Sequence, residues 1–540
     1  MGIPPGNIAC RKFVCPGDAI ALLSDGYVYT QWKCQRALFV HTLALSSRNH
    51  GAPNHLHSMH ATSVARLISR CRARRQHTKR TITKQSQNPG IYRSELLRQP
   101  NLFIEDAPIN RFHHLLTVRA SGGWLMDGYI LSIIGVALTR VSSALALDNF
   151  WQGMVAASAL IGIFLGGFIG GSLTDKLGRK KLFLASPIIF LVCSVAQYWV
   201  DSGVTLFLLR LIIGIGVGIE YPVASAMLVE FLPARYRGPR LAMVQILWFA
   251  GAALAYLFGN LISACFGDDS WRLVLASPAL FAAAVLAARI GTPESARWLI
   301  SKGRNAEAEQ VIQRVYGAGY SLANMAIAAC AKKHASFMSV LRSGYGPRMF
   351  FIVVFWTCAV VPVFAVYAFV PKVLAAFELK GGWADFGSTV ITSLFVVGCI
   401  VATQLINRLG RRRMLIHSFL WSGLALLVLA FSHQDSKFLI LSLFGFYAVF
   451  IGGAQVLQTV YPNELFPTEV RAAAMGMGTS LSRVGAAIGT WYVPVSLQSL
   501  GIGNTMLAAA VITFVGLIAA IFMAPETCNM SLESAASLER

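Results

Sequence analysis

Two short polar motifs, each present twice and in the same order, constrain this chain more than any other feature. The first is the basic loop Gly171-Ser172-Leu173-Thr174-Asp175-Lys176-Leu177-Gly178-Arg179-Lys180-Lys181, echoed by Asn407-Arg408-Leu409-Gly410-Arg411-Arg412-Arg413. The second reads E-x-x-P-x-x-x-R and runs from Glu230 to Arg237 and again from Glu464 to Arg471. The step from Asp175 to Asn407 nearly equals the step from Glu230 to Glu464, so half of the chain is duplicated. Long apolar runs separate the motifs. Weak internal symmetry in a hydrophobic chain is what repeat-built transporters show.

Composition agrees. Of 540 residues, 55% are hydrophobic and 13% charged, where a soluble domain carries roughly 25% charged residues. So few charges cannot cover a water-facing surface, and the bulk of the chain is expected to face lipid. The net charge of +22 does not point to nucleic acid, because a binder of that polymer would be less apolar. Positive charge gathered in cytoplasmic loops explains it better. The 10 cysteines include no C-x-x-C pair and no Cys/His cluster with metal-ligand spacing. Cys193, Cys358 and Cys399 lie in apolar runs and read as small hydrophobes. No nucleophile motif and no phosphate-binding loop appears, so neither an enzyme nor an ATP-driven pump is expected. Neither a metal nor a cofactor is expected.

Residues 1–105 differ from the rest, being rich in Arg, Ser, His and Asn without a run of the roughly 20 apolar residues a span needs. No secretory signal follows Met1. The start Met1-Gly2-Ile3-Pro4-Pro5-Gly6 opposes the amphipathic helix of a transit peptide. A disordered cytoplasmic extension, or an upstream stretch outside the working protein, is the expectation.

The fold class expected is all-α membrane protein, with twelve transmembrane helices in two pseudo-symmetric six-helix halves. The spans fall at 113–138, 149–172, 182–200, 204–230, 240–263 and 271–290, then at 349–371, 386–407, 413–432, 437–460, 473–496 and 503–524. The first half thus occupies 106–290 and the second 349–527, with a connection at 291–348 and a short tail at 528–540. One set of loops carries Lys176, Arg179, Lys180, Lys181, Arg235, Arg237, Arg240 and the Arg-rich loop at 408–413. The opposite loops carry Asp148, Asp201, Asp268, Asp269 and Asp435. That bias puts the basic loops and both termini in the cytoplasm of a plasma (inner) membrane protein.

Two carboxyls fall inside spans. Asp127 lies deep in the first helix, where a charge costs about 2.5–3.5 kcal/mol, so it is a functional candidate by default. Glu220 lies deep in the fourth. Arg210 is ten residues earlier, about 15 Å along the axis, too far for a direct pair. It is expected near the outer mouth, where it would receive an anion. Gly214 and Gly218 provide the small-x-x-x-small spacing for close helix packing. Gln245 and Trp248 in the fifth helix, Gln455 and Gln458 in the tenth and Arg483 in the eleventh are candidates to line a cavity.

These residues resemble a known family. Gly171-x-x-x-Asp175-x-x-Gly178-Arg179-Lys180 resembles the signature loop between helices 2 and 3 of the major facilitator superfamily, with its repeat at 407–413. Arg210-x-x-x-Gly214-x-Gly216-x-Gly218-x-Glu220-Tyr221-Pro222 resembles helix 4 of its sugar-porter and metabolite:proton symporter branches. Pro293-Glu294-Ser295-Ala296-Arg297-Trp298-Leu299 and Pro525-Glu526-Thr527 resemble the segments that follow helices 6 and 12. Three departures bear on substrate. Val361-Pro362-Val363 stands in helix 7, where sugar porters carry Gln-Leu-Ser. Gly453-Ala454-Gln455-Val456 stands in helix 10, where they carry Pro-x-x-Trp. Asp127-Gly128-Tyr129-Ile130 resembles the Asp-x-Tyr-Asp of organic-acid symporters, with Ile130 replacing the second acid. The best likeness is to carriers resembling nicotinate and synaptic-vesicle-protein-like transporters.

The resemblance implies a monomeric, proton-coupled secondary transporter, working by alternating access in a lipid bilayer on a small organic or aromatic carboxylate. A sugar or polyol porter, or a non-transporting sensor, are the rivals. Proton coupling and substrate contact would fall to Asp127, Tyr129, Arg210, Glu220, Gln245, Gln455, Gln458 and Arg483. Gating would fall to Gly171, Asp175, Gly178, Arg179, Glu230, Arg237, Arg408, Gly410, Arg411, Glu464 and Arg471.

Overall fold

The computed structural model describes residues 104–322, 344–377, 382–432, 437–528, 530 and 535–537. Almost all of the 1–105 extension therefore lies outside the described residues, as do part of the 291–348 connection and most of the tail. The side chains of Gly171, Asp175 and Arg471 also lie outside them.

Among the described residues, twelve long helical spans follow one another. In the first half α1 is Arg111–Ala144, α2 Asn149–Leu177, α3 Arg179–Ala196, α4 Gly203–Phe231 and α5 Ala234–Phe266. Helix α6 comes in two pieces, Trp271–Ala276 and Pro278–Arg289. The sequence predicts one unbroken helix over 271–290. The interruption at Ser277 has a local cause: Pro278 has no N–H for the ladder and instead serves as the first residue of a new helix. Two short helices, Ala296–Ser301 and Asn305–Tyr316, begin the connection. In the second half α7 is Gly346–Ala376, α8 Gly382–Leu409, α9 Arg411–Phe431, α10 Lys437–Leu465, α11 Thr468–Ser499 and α12 Gly501–Met523.

Among the described residues, 11 helices are both long and apolar enough to cross a membrane. The twelfth, α11, has 32 residues but is diluted by Ser, Thr, Gly and Arg483. The outer surface carries large apolar side chains such as Phe438 (83% exposed), Phe522 (81%) and Leu280 (77%). A water-soluble protein does not expose apolar surface on this scale.

Polar groups start the helices where polar loops meet apolar runs. Asn110 caps α1, Asp148 caps α2 and Ser202 caps α4, each accepting a backbone N–H of the first turn. Within the first half, α2 lies on α4 and α1 on α5; within the second, α8 lies on α10 and α9 on α12. Glycine permits these approaches. A Cβ on Gly214 or Gly218 would strike the α2 backbone near Ala159 and Ile163, and one on Gly162 or Gly166 would strike the α4 backbone. The halves meet through α2 on α11, α5 on α8 and α1 on α7. Those pairs exchange under the repeat, so the seam between the halves is pseudo-two-fold.

Candidate functional site

The deepest charges form one cluster in the first half. Arg289 ends α6 and turns its guanidinium inward onto Glu220 of α4. Its Nη1 donates to Oε2 at 2.9 Å and its Nη2 to Oε1. Both side chains are fully buried. Ser186 of α3 also donates to Glu220. Arg289 is held by the carbonyls of Phe183 (2.7 Å) and Arg119 (3.2 Å), and its guanidinium lies 3.8 Å from the centre of the Phe183 ring. Burying two charges is tolerable when each is matched and hydrogen-bonded, and here both are.

Helix α1 runs directly over this pair. A side chain at Gly123 would collide with both Arg289 and Glu220. One turn later Asp127 is 0% exposed, close enough to feel the charges of Glu220 and Arg289. Among the described residues neither of its oxygens has a hydrogen-bond partner. The pocket thus holds two carboxyls and one guanidinium.

A second cluster spans the seam. Tyr221 follows Glu220; its ring is 4.7 Å from that of Trp124, and its hydroxyl sits beside Asp127, Trp248 and Arg483. The Trp248 ring meets Phe364 and Tyr367 edge-on, both at 5.8 Å. The Arg483 guanidinium lies 5.0 Å from the centre of the Phe364 ring. Arg483 is 9% exposed, and its Nε and Nη1 have no acceptor among the described residues. Gln455 donates to the Ala359 carbonyl at 3.0 Å, and Gln458 to Gln455 at 2.9 Å. Gln245, one turn before Trp248, is also buried. Helices from both halves therefore supply one aromatic set of walls, with two unmatched donors of Arg483 among them.

Three candidates sit elsewhere. The Tyr129 hydroxyl bonds to Ser277 at 2.8 Å and its ring packs on Phe281, so it faces α6 rather than the seam. Arg210 does not reach an open mouth: it is 1% exposed, because the glycine-mediated contact draws α4 tightly onto α2. None of its guanidinium nitrogens has a partner among the described residues. Glu220 is engaged by Arg289 at the end of α6, which is not among the sequence candidates. The signal was available, since an arginine inside an apolar span is itself a functional flag.

At the face carrying the basic loops the duplicated motifs build two matching networks. Arg179 pairs with Glu230 at 3.2 Å, and Arg411 with Glu464 at 2.9 Å. Glu294 accepts the backbone N–H groups of Arg179 (3.0 Å) and Lys180 (3.1 Å). Glu526 does the same for Arg411 (2.9 Å) and Arg412 (3.2 Å). Each carboxylate satisfies the unpaired donors at a helix start. Gly178 and Gly410 adopt φ of +98° and +83°, and a Cβ there would strike Glu294 or Glu526. Arg237 donates to the Leu232 carbonyl at 2.8 Å, and Arg408 is exposed.

Comparison with known proteins matches this architecture to one family. Residues 115–538 match the family "Sugar (and other) transporter". The chain belongs to that family. It is a secondary transporter of the major facilitator, sugar-porter type, and its relatives move solutes rather than transform them. It is 38% identical over 441 residues to YaaU of Escherichia coli (strain K12), covering 82% of this chain and 98% of that one. It is 26% identical over 389 residues to the niacin transporter NiaP of Acinetobacter baylyi, covering 71% and 87%. The partially occluded, inward-open xylose transporter XylE from E. coli superposes with a TM-score of 0.67 at 22% identity, covering 78% of this chain and all of that one.

Proposed function

We propose that the chain takes up a small organic or aromatic carboxylate together with a proton, by rocking its two halves around the seam. The observation that carries the substrate class is Arg483: a buried guanidinium with unmatched donors, set against an aromatic wall where both halves meet. A buried charge without a partner is costly, and an incoming carboxylate relieves that cost with bidentate hydrogen bonds. Trp124, Tyr221, Trp248 and Phe364 would enclose a planar ring. The relative named for niacin, a pyridine carboxylate, supports the reading. The buried amides of Gln455 and Gln458 favour a second reading, a sugar or polyol, for which relatives are also named.

Coupling falls to Asp127. An acid that carries the driving proton must be neutral in one state and charged in another. Glu220 is matched by Arg289, whereas Asp127 is not, so Asp127 is free to trade its proton with either side. In this reading the networks of Arg179 and Arg411 face the cytoplasm, as the basic bias of their loops favours, and breaking one set of contacts while making the other would gate the cycle. Asp175, Arg237, Arg408 and Arg471 belong to the same gate.

The test is uptake into proteoliposomes under an imposed pH gradient, with a ligand chosen by a thermal-shift screen of carboxylates and sugars. Asp127→Asn is expected to abolish accumulation against a gradient while retaining downhill exchange. Continued proton-driven accumulation by Asp127→Asn sinks the assignment of the coupling acid. Indifference of the wild-type protein to the pH gradient sinks symport itself.

A further inference from the structure

The basic face holds a cavity beside the Arg179 network. It encloses about 420 Å³ between the end of α2, the start of α3 and the two helices of the connection. Its walls include Leu177, Lys180, Lys181, Trp298, Arg304 and Arg314. The acidic residues at its edge are already engaged. Glu294 accepts backbone N–H groups at the start of α3. Glu307 binds Arg304 through both oxygens, at 2.7 and 2.6 Å. Among the described residues, Lys180, Lys181 and Arg314 form no ion pair. The lining sets four cations, Lys180, Lys181, Arg304 and Arg314, against two carboxylates, Glu294 and Glu307, so the hollow is net positive.

Depth narrows the occupant. Lys180 and Lys181 lie in the first turn of a helix long and apolar enough to cross the bilayer. The cavity therefore sits at the level of lipid headgroups, with Leu177 (43% exposed) as an apolar lip beside it. Fixed positive charge at that level attracts the anionic lipids of the leaflet it faces. We propose that this cavity binds a phosphate-bearing anion, supplied by the headgroup of an anionic phospholipid. Lys180, Lys181 and Arg314 grip the phosphate, and the acyl chains leave over Leu177 into the bilayer. Because the connection between the halves forms one wall, an occupied cavity would pin that connection to the first half.

The test uses the purified full-length chain in a neutral detergent and follows thermal unfolding, since a ligand that binds the folded state raises its midpoint. The probes are short-chain phosphatidylglycerol, short-chain phosphatidylcholine and inorganic phosphate. Phosphatidylglycerol is expected to raise the midpoint in a saturable, salt-sensitive way, and phosphatidylcholine is not. In Lys180→Gln/Lys181→Gln/Arg314→Gln the half-saturating concentration should rise tenfold or more. All three side chains are exposed, so the variant's midpoint without lipid should stay near wild type. Arg408→Gln, on the same face of the other half, should bind normally, and Lys181→Arg should retain binding. If inorganic phosphate alone saturates the effect, the anion site stands and its source is soluble phosphate. Equal responses to both lipids, or a triple variant that responds like wild type, overturn the proposal.

Discussion

Arg289→Met is expected to be the most damaging single substitution in the first half. Arg289 and Glu220 are both fully buried. Removing one partner of such a pair leaves an uncompensated buried charge, which costs about 3–5 kcal/mol. No discount for solvent screening applies at zero exposure. Losing the donor to the Phe183 carbonyl adds to this cost, because Pro187, four residues on, has no N–H to bond it; the Arg119 carbonyl lies within a helix that can satisfy it. Glu220→Gln should cost less than Arg289→Met, and the reason is specific to this pocket. Asp127 lies beside the pair, so it can turn to the guanidinium that Glu220 vacates. The double variant Glu220→Gln/Asp127→Asn should then be as unstable as Arg289→Met. Replacing both charges, as Glu220→Leu/Arg289→Met, should recover most of the loss, since apolar side chains of similar volume can substitute for a buried pair. The assay is the denaturant midpoint of the purified protein, followed by circular dichroism. An Arg289→Met protein as stable as wild type refutes the reasoning. So does a Glu220→Gln protein less stable than Arg289→Met, because Asp127 would then not be sharing the guanidinium.

Arg483→Gln is expected to raise KM for a carboxylate substrate tenfold or more, at roughly 1.5–3 kcal/mol for a charge-assisted hydrogen bond; uptake kinetics measure it, and an unchanged KM removes Arg483 from the site. Gly178→Ala should lower the thermal midpoint, because a Cβ at that positive φ costs about 1–2 kcal/mol and also displaces the Glu294 cap. Gly410→Ala should act alike through Glu526, and scanning calorimetry of the two variants checks both. Deleting residues 1–100 should leave membrane insertion and uptake intact, as read from the membrane fraction and from proteoliposomes, because every motif lies beyond them.

Helix number and order were legible because the signal is coarse. A span must keep about 20 residues apolar whatever it packs against. The finer breaks follow local chemistry: Pro278 interrupts α6 for a reason visible in sequence but easily absorbed into a long apolar run. Site geometry was less legible. Asp127, Glu220 and Arg483 stand out as polar residues in apolar surroundings, but their partners depend on which helices touch. Arg289 meets Glu220 only because Gly123 lets α1 pass over them and because α6 ends at that depth. Tyr129 neighbours Asp127 in sequence yet faces α6, since two residues along a helix turn the side chain to another face. Glu294 and Glu526 lie inside the motifs after α6 and α12, but the donors they cap come from a segment more than a hundred residues earlier.

Symmetry separates the loop networks from the buried charges in this chain. The parts that recur are the glycine turns, Arg179 and Arg411, Glu230 and Glu464, and Glu294 and Glu526; each half has the full set at its basic end. The proposed rocking cycle would use that, because both halves would open and close by the same kind of contact. The buried charges do not recur. Ser186 donates to Glu220 in the first half. In the second half Ser418 takes the place of Ser186, and Gly453 takes the place of the acid, with its absent Cβ pointing at the Ser418 hydroxyl. One repeat after Arg289 the chain has Ile521, and after Asp127 it has apolar residues of α7. Arg483 belongs to the second half alone, since the α5 residues one repeat earlier are uncharged. In the proposed cycle the first half therefore carries the proton and the second half grips the substrate's charge. Tyr221, which touches the surroundings of both Asp127 and Arg483, stands where the two must communicate.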